Sequence, residues 1–166
     1  MNVNGFVHKY GDNINTDVII PARYCSTIDP GKLAAHCLED LDTGFVKKVK
    51  PGDILAAGDN FGCGSSREVA PIAIKHAGIS CVIANFFARI FYRNAVNIGL
   101  PIIECPAFID DVLDGDPVEV KFNEGLIYNR RLEKSYGFSR GNSLIREIME
   151  KGGLVNYVKE KLVSKD

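Results

Sequence analysis

Short unbroken apolar runs alternate with helically spaced apolar stretches through the middle of the chain. Ile54-Leu55-Ala56-Ala57, opened by Pro51-Gly52-Asp53, has no polar face and predicts a strand buried on both sides. From Arg67 to Ala77 the residues Val69, Ala70, Ile72, Ala73, Ile74 and Ala77 predict a helix apolar on most sides, with Gly78 in the position of a C′ residue. Ser80 to Ala84 predicts a second buried strand, Phe87 to Ile98 a second helix closed by Gly99, and Leu100 to Glu104 a third strand. This strand–helix–strand–helix–strand order implies parallel pairing through right-handed crossovers.

The flanks read differently. Asn2 to His8 predicts a first strand, and Gly11 to Asp17 is dense in turn formers. Val18-Ile19-Ile20 is a short apolar run stopped by Pro21. After the turn signal Asp29-Pro30-Gly31, the spacing of Leu33, Ala34, Cys37, Leu38 and Leu41 predicts a helix over 32–41, with Asp29 or a neighbour as its cap. Beyond Pro106, Pro117 to Phe122 alternates apolar and polar, and Gly125 to Asn129 suits a hairpin partner. Leu144, Ile145, Ile148 and Met149 predict an amphipathic terminal helix over about 142–162, with a polar tail beyond it. The whole, residues 1–166, reads as one α/β domain: a central parallel strand–helix–strand unit with additional antiparallel strands.

Composition narrows the function. The 166 residues are 46% hydrophobic and 25% charged, with a net charge of −1. That balance is ordinary for a globular protein and provides no basic field for nucleic acid or an acidic membrane. No apolar run approaches the roughly 20 residues of a membrane span, and Met1 to Tyr10 lacks a signal-peptide apolar stretch, so a cytoplasmic location is expected. The cysteines, Cys25, Cys37, Cys63, Cys81 and Cys105, are odd in number, and no pair is spaced C-x-x-C. A disulfide framework, or a metal or iron–sulfur site held by this chain alone, is not expected; most of the thiols suit buried apolar positions.

The candidate chemistry lies between the first buried strand and the following helix. Gly58-Asp59-Asn60-Phe61-Gly62-Cys63-Gly64-Ser65-Ser66-Arg67 combines glycines, which let a backbone turn tightly beside a ligand, with a planar guanidinium suited to a carboxylate or phosphate. At a helix start, free N–H groups and the macrodipole would add to an anion site. The loop fits dinucleotide binding poorly, because Arg67 stands where a third glycine is needed, and no Gly-Lys-Ser/Thr closes it as a P-loop. Ser65-x-x-Glu68 also fits a capping box, a structural role competing for the Ser65 oxygen.

Gly62-Cys63-Gly64-Ser65-Ser66-Arg67-Glu68 resembles the G-x-G-S-S-R signature of the swivelling domain of the aconitase superfamily. Asn15-Thr16-Asp17-Val18-Ile19-Ile20-Pro21 resembles its N-terminal T-D-x-I-x-P segment. Ala84 to Asn94, followed by Asn97-x-Gly99-Leu100, is a third match, and order and spacing agree along residues 1 to about 106. The length is that of a free-standing small subunit, and the nearest resemblance is to the short type within the isopropylmalate dehydratase family. The resemblance implies a swivelling β/β/α fold and a hydro-lyase that interconverts 2- and 3-hydroxy acids through an unsaturated acid, active only with a separate large subunit. A [4Fe-4S] cluster is expected in that partner and no cofactor in this chain. By resemblance, Ser65 is the base that removes the carbon-bound proton, with Asp17 nearby helping to position the site. Arg67 binds a substrate carboxylate, with Ser66 and Gly64 beside it. Ser66 could take the cap and leave Ser65 free.

The loop that helps choose the substrate in this family reads Tyr24-Cys25-Ser26-Thr27 here. Ser26 stands where related tricarboxylate enzymes carry an arginine. Without that cation a third carboxylate would go unpaired at a cost of several kcal/mol, so an alkyl-substituted substrate such as isopropylmalate is expected. Dimethylmalate and citraconate/methylmalate would also fit, and Arg23 keeps homoaconitate in view if it turns inward. A different class, a stand-alone anion-binding module, would use the same loop without chemistry.

Overall fold

The computed structural model describes residues 2–163. Strand β1 (Asn2–Lys9) leads into helix α1 (Thr16–Ile19), a 3-10 turn (Ala22–Tyr24), and the short helices α2 (Pro30–Ala34) and α3 (Phe45–Lys48). Strands and helices then alternate as β2 (Ile54–Ala57), α4 (Val69–His76), β3 (Cys81–Ala84), α5 (Arg89–Ile98), β4 (Ile102–Glu104) and α6 (Pro106–Asp111). The chain closes with β5 (Pro117–Lys121), β6 (Leu126–Asn129), β7 (Lys134–Gly137), α7 (Ser143–Glu150) and α8 (Leu154–Val163).

All seven strands form one mixed sheet in the order β4-β3-β2-β1-β5-β6-β7. The expected parallel unit is present, with β2 pairing β3 and β3 pairing β4. Strand β1 joins the two halves by changing partner along its length: Asn2 to Phe6 pair antiparallel with β5, and Val7 to Lys9 pair parallel with β2. The hairpin expected from Pro117 and Gly125 onward is β5–β6, and β7 extends it.

Every residue of β2 and β3 is buried because these strands have a core on each face. Leu55, Ala57, Val82 and Ala84 join Ala70, Ala73, Ile74, Phe91 and Ala95 in one cluster under α4 and α5. Ile54, Ala56, Cys81 and Ile83 join Phe108, Ile109 and Val112 from α6 and its end, with Val118, Val120, Ile127 and Tyr136 of the antiparallel strands, in the other. The antiparallel strands thus curl over the second face of the parallel ones. A polar residue at any of these eight strand positions would lack a solvated side, hence the unbroken apolar runs.

Three expectations are corrected. The helix expected over 32–41 is only α2, capped as anticipated by Asp29, whose carboxylate accepts the Lys32 N–H at 3.0 Å. The chain then turns, with Leu38 at φ 57° and its N–H donating to the Ile19 carbonyl at 2.9 Å. The tie to α1 and the burial of Cys37 and Leu38 outweigh continuing the helix. The terminal helix expected over about 142–162 is two helices, broken at Gly152 (φ 76°) and Gly153 (φ 130°), conformations that L side chains rarely adopt. The helix expected from Arg67 begins at Val69, four residues beyond Ser65.

Each half carries a buried aspartate. Asp53 accepts from His8 Nε2 at 2.8 Å and from the N–H groups of Phe6 and Lys50 at 3.0 and 2.9 Å. Burial alone would raise its pKa, but these bonds hold it below the ordinary range. Asp116 is likewise penalised by burial and held low by Arg131, the Leu113 N–H and Asn129. Among the described residues, no helix is long and apolar enough to cross a membrane.

Candidate active site

Three loops leave the same end of the parallel strands: residues 10–15 after β1, 58–68 after β2 and 85–88 after β3. Backbone hydrogen bonds lace them together. Gly58 N–H donates to Gly11, Asn13 N–H to Asp59, Gly62 N–H to Ile14 and Thr16 N–H to Cys63, all at 2.7–3.1 Å. On the other side Phe61 N–H donates to the Phe86 carbonyl, and Ala88 N–H to that of Phe61. Side chains add Asn85 Nδ2 to Asp59 Oδ1 at 2.6 Å and Asn60 Nδ2 to Asn13 Oδ1 at 3.0 Å. The three segments that are separate in sequence therefore form one surface, outside the carboxyl ends of parallel strands where α/β proteins place ligands.

The loop after β2 needs its glycine at 62. Its φ is 77°, and a Cβ there would lie 2.2 Å from the Phe91 ring. Phe61, Phe87 and Phe91 pack together below it, with ring centroids 5.1–6.1 Å apart. This aromatic floor presses the loop outward, so that Gly64, Ser65 and Ser66 are exposed.

Ser65 is held by its backbone, not by its side chain. The buried Thr16 hydroxyl donates to the Ser65 carbonyl at 2.7 Å. Neither serine caps α4: its N-cap is Glu68, without a side-chain cap bond, and Ser65 lies four residues before the first helical residue. The capping-box reading is thereby overturned, because the chain turns at Gly62 (φ 77°) and Gly64 (φ 90°), is tied to Thr16 through Cys63 and Ser65, and becomes helical only at Val69. Among the described residues no hydrogen bond engages the Ser65 or Ser66 hydroxyl. The start of α4 at Val69 likewise puts the helix N-terminus beyond the serines, and the cation carried by this loop is Arg67.

Arg67 is tightly placed, its side chain only 17% exposed. Nη1 donates to the Ile20 carbonyl at 2.9 Å and contacts Cys25 Sγ at 3.4 Å, while Nη2 forms an ion pair with Asp17. Asp17 and Arg67, predicted on separate motifs, thus meet directly. Asp17 sits in the first turn of α1, where the Asn15 side chain caps the Val18 N–H at 2.9 Å. Cys25 is half-buried against Arg67, Ser26 is exposed, and the Thr27 hydroxyl accepts from the Asp29 N–H at 3.1 Å.

Arg23 does not turn inward. Its guanidinium donates to Asp40 at 2.5 and 3.0 Å and to Glu39 at 2.8 Å. Tyr24 donates its hydroxyl to Glu39 at 2.9 Å and stacks on His36, ring centroids 3.7 Å apart. Glu39, Asp40 and His36 escaped sequence reasoning because, at i, i+3 and i+4, they read as one solvated face of the expected helix, with nothing to link that face to Arg23 and Tyr24. The adjacent acidic pair following a half-apolar stretch was the available signal.

The Aconitase C-terminal domain model matches residues 37–107. The chain is 57% identical over 162 residues to the 3-isopropylmalate dehydratase small subunit of Ruminiclostridium cellulolyticum, covering 98% of this chain and 99% of that one. It is 59% identical over 162 residues to the Clostridium acetobutylicum protein of the same name, with coverage of 98% and 99%. The chain belongs to the family of 3-isopropylmalate dehydratase small subunits. A solved structure of 3-isopropylmalate dehydratase from Methanocaldococcus jannaschii superposes with a TM-score of 0.95 at 48% identity, covering 99% of this chain and 98% of that one. The expected swivelling α/β fold and the placement in the aconitase superfamily both hold, and the family is one of hydro-lyase subunits.

Proposed function

We propose that this chain is the small subunit of a heteromeric hydro-lyase that isomerises 2-isopropylmalate and 3-isopropylmalate in leucine biosynthesis, in the cytoplasm. The observation that carries the reading is the Ser65 hydroxyl: exposed, free of any cap, its backbone pinned by Thr16, and two residues from a guanidinium fixed by three groups. Full-length similarity to isopropylmalate dehydratase small subunits supports it.

In this reading Ser65 takes the proton from the substrate carbon during dehydration and returns one during hydration. A serine is far too weak an acid to be ionised in water, so it acts only in a closed, positive site. Arg67 supplies fixed positive charge and receives a substrate carboxylate on the part of its guanidinium not facing Ile20 and Cys25. Asp17 positions that guanidinium and competes with the incoming carboxylate. The Gly64 and Ser66 backbone lies open beside them. Tyr24 to Thr27 form the wall facing the substrate's variable group, and with Arg23 turned away that wall presents no free cation, favouring an alkyl group over a third carboxylate.

The exposed loop must be covered before such chemistry can run, because open water would solvate both base and product. A large subunit is the proposed cover, and it would carry the [4Fe-4S] cluster. This chain's own donors do not suit one: Cys37, Cys81 and Cys105 are buried within the cores, leaving only Cys25 and Cys63 near the loop. Among the described residues no three His, Cys, Asp or Glu side chains converge as a metal site.

The test is reconstitution with the large subunit and a substrate panel of isopropylmalate, dimethylmalate, citramalate-type acids and homocitrate. Turnover of isopropylmalate by the complex and none by the isolated chain is expected. Failure to associate with an iron–sulfur partner, with unaided binding of a small acid, would instead make this an anion-binding module. Arg67→Lys should raise KM about tenfold or more, since an ammonium cannot hold Ile20, Asp17 and substrate together.

A further inference from the structure

Glu39 is a hub. Its Oε1 accepts from Arg23 Nη2 at 2.8 Å and from the Tyr24 hydroxyl at 2.9 Å, and its Oε2 meets His36 Nδ1 at 2.5 Å. Asp40 beside it takes the Arg23 guanidinium through both oxygens. The three side chains tied to Glu39 also stack: the Arg23 guanidinium lies 4.8 Å from the Tyr24 ring centroid, and the Tyr24 and His36 rings are nearly parallel, at 5°. The turn that presents Glu39 and Asp40 is itself fixed, by the left-handed Leu38 and its bond to Ile19. One residue beyond Tyr24, Cys25 packs on Arg67. The short segment 23–25 is therefore held at one end by two carboxylates and at the other by the candidate substrate-binding arginine.

We propose that Glu39 and Asp40 are specificity-determining positioning residues, which hold the Arg23 guanidinium outside the substrate site and clamp the Tyr24–Thr27 wall against it. The inference rests on the reading of this chain as half of an active site. Asp40 and Glu39 between them take up both terminal nitrogens of the Arg23 guanidinium, so the closed latch offers that cation to no third substrate carboxylate. The hydrogen bonds from His36, Arg23 and Tyr24 hold the Glu39 pKa at about 2, so it remains ionised, and the latch closed, across the physiological range. Released from both acids, the long and flexible Arg23 side chain would return to this wall the cation that Ser26 does not supply.

The test uses the complex reconstituted with its large subunit and compares kcat/KM for hydration of cis-homoaconitate, a tricarboxylate, with that for hydration of 2-isopropylmaleate. The E39Q/D40N variant removes both charges with little change of shape. Its ratio of tricarboxylate to alkyl substrate should rise at least about tenfold, the size of one charge-assisted hydrogen bond to the third carboxylate. Adding Arg23→Gln to that variant should return the ratio to the parent value, which a merely structural role for the acids would not do. An unchanged ratio in E39Q/D40N, or a raised ratio surviving removal of Arg23, overturns the proposal. Should the double variant not fold, as judged by its melting curve, E39A/D40A, which likewise removes both carboxylates from Arg23, is read the same way. A parent complex that turns over isopropylmaleate while the ratio stays fixed refutes only the latch. A parent that hydrates neither acid refutes the underlying reading and the latch with it.

Discussion

The corner of the antiparallel half and the glycine loop of the parallel half use polar residues in opposite ways. The antiparallel half turns them on itself: Asp116 is enclosed by Asn129, Arg131 and the Leu113 N–H, and Asp111 takes Lys134 and Tyr136. The parallel half does this at the base of the sheet, where Asp53 binds His8, and in the cluster of Arg23, Tyr24 and His36 around Glu39 and Asp40. Along the glycine loop itself it fixes backbone, through Thr16 and the laced loops, and leaves the Ser65 and Ser66 hydroxyls exposed. Hydrogen bonds that hold a main chain while sparing a side chain prepare a reactive group; hydrogen bonds that consume side chains stabilise a corner. Function is expected on the first side and stability on the second.

The sharpest break of that comparison is Ser65→Ala. It should lower kcat of the reconstituted complex about 10³-fold, the scale of a lost general base, while changing the unfolding free energy of the isolated chain by less than about 0.5 kcal/mol. Near-normal turnover would leave Ser65 as a surface residue. Gly62→Ala should affect function and stability together, because it strains a positive φ and drives a Cβ into Phe91. A loss of about 3 kcal/mol in urea unfolding, with loss of activity, is expected. Asp116→Asn is the mirror of Ser65→Ala: about 2 kcal/mol less stable, since the Arg131 pair is broken, with kcat of the assembled enzyme unchanged.

A smaller effect concerns acid. Asp53 and Asp116 are both held below the ordinary carboxylate range in the folded chain. Their stabilisation is therefore complete above the unfolded value of about 3.9 and is lost as pH falls through the lower folded values. Urea midpoints between pH 5 and pH 2.5 should decline, and Asp116→Asn should flatten that decline. The smallest expected effect is Ser66→Ala, within about 0.5 kcal/mol in stability. A large stability loss there would show that Ser66, not Glu68, governs the start of α4.

Much of the parallel half was legible from the chain alone. Strands buried on both faces must be continuously apolar, and helices between them must end where Gly78 and Gly99 permit. The signature stretches were equally legible, because their glycines and serines answer to local backbone needs. The breaks at residues 35–42 and 151–153 were not: apolar spacing is the same whether a helix continues or its residues reach the core by a turn. Tertiary contacts decided there, with Leu38 bonded to Ile19 and the Gly152–Gly153 turn lying against the end of α5.

The sequence by itself determined which residues could take part: a serine and arginine after three glycines, an aspartate on an upstream motif, and no metal-binding spacing. Only the tertiary structure decided how they are used. It brought Asp17 onto Arg67, freed Ser65 from the cap that its spacing with Glu68 suggested, and turned Arg23 toward Glu39 and Asp40. The physical reason is range. Caps, turns and apolar periods are set by neighbours a few residues away, whereas the partner of a charge is whichever opposite charge the folded chain places within reach, here 16 to 50 residues along the chain.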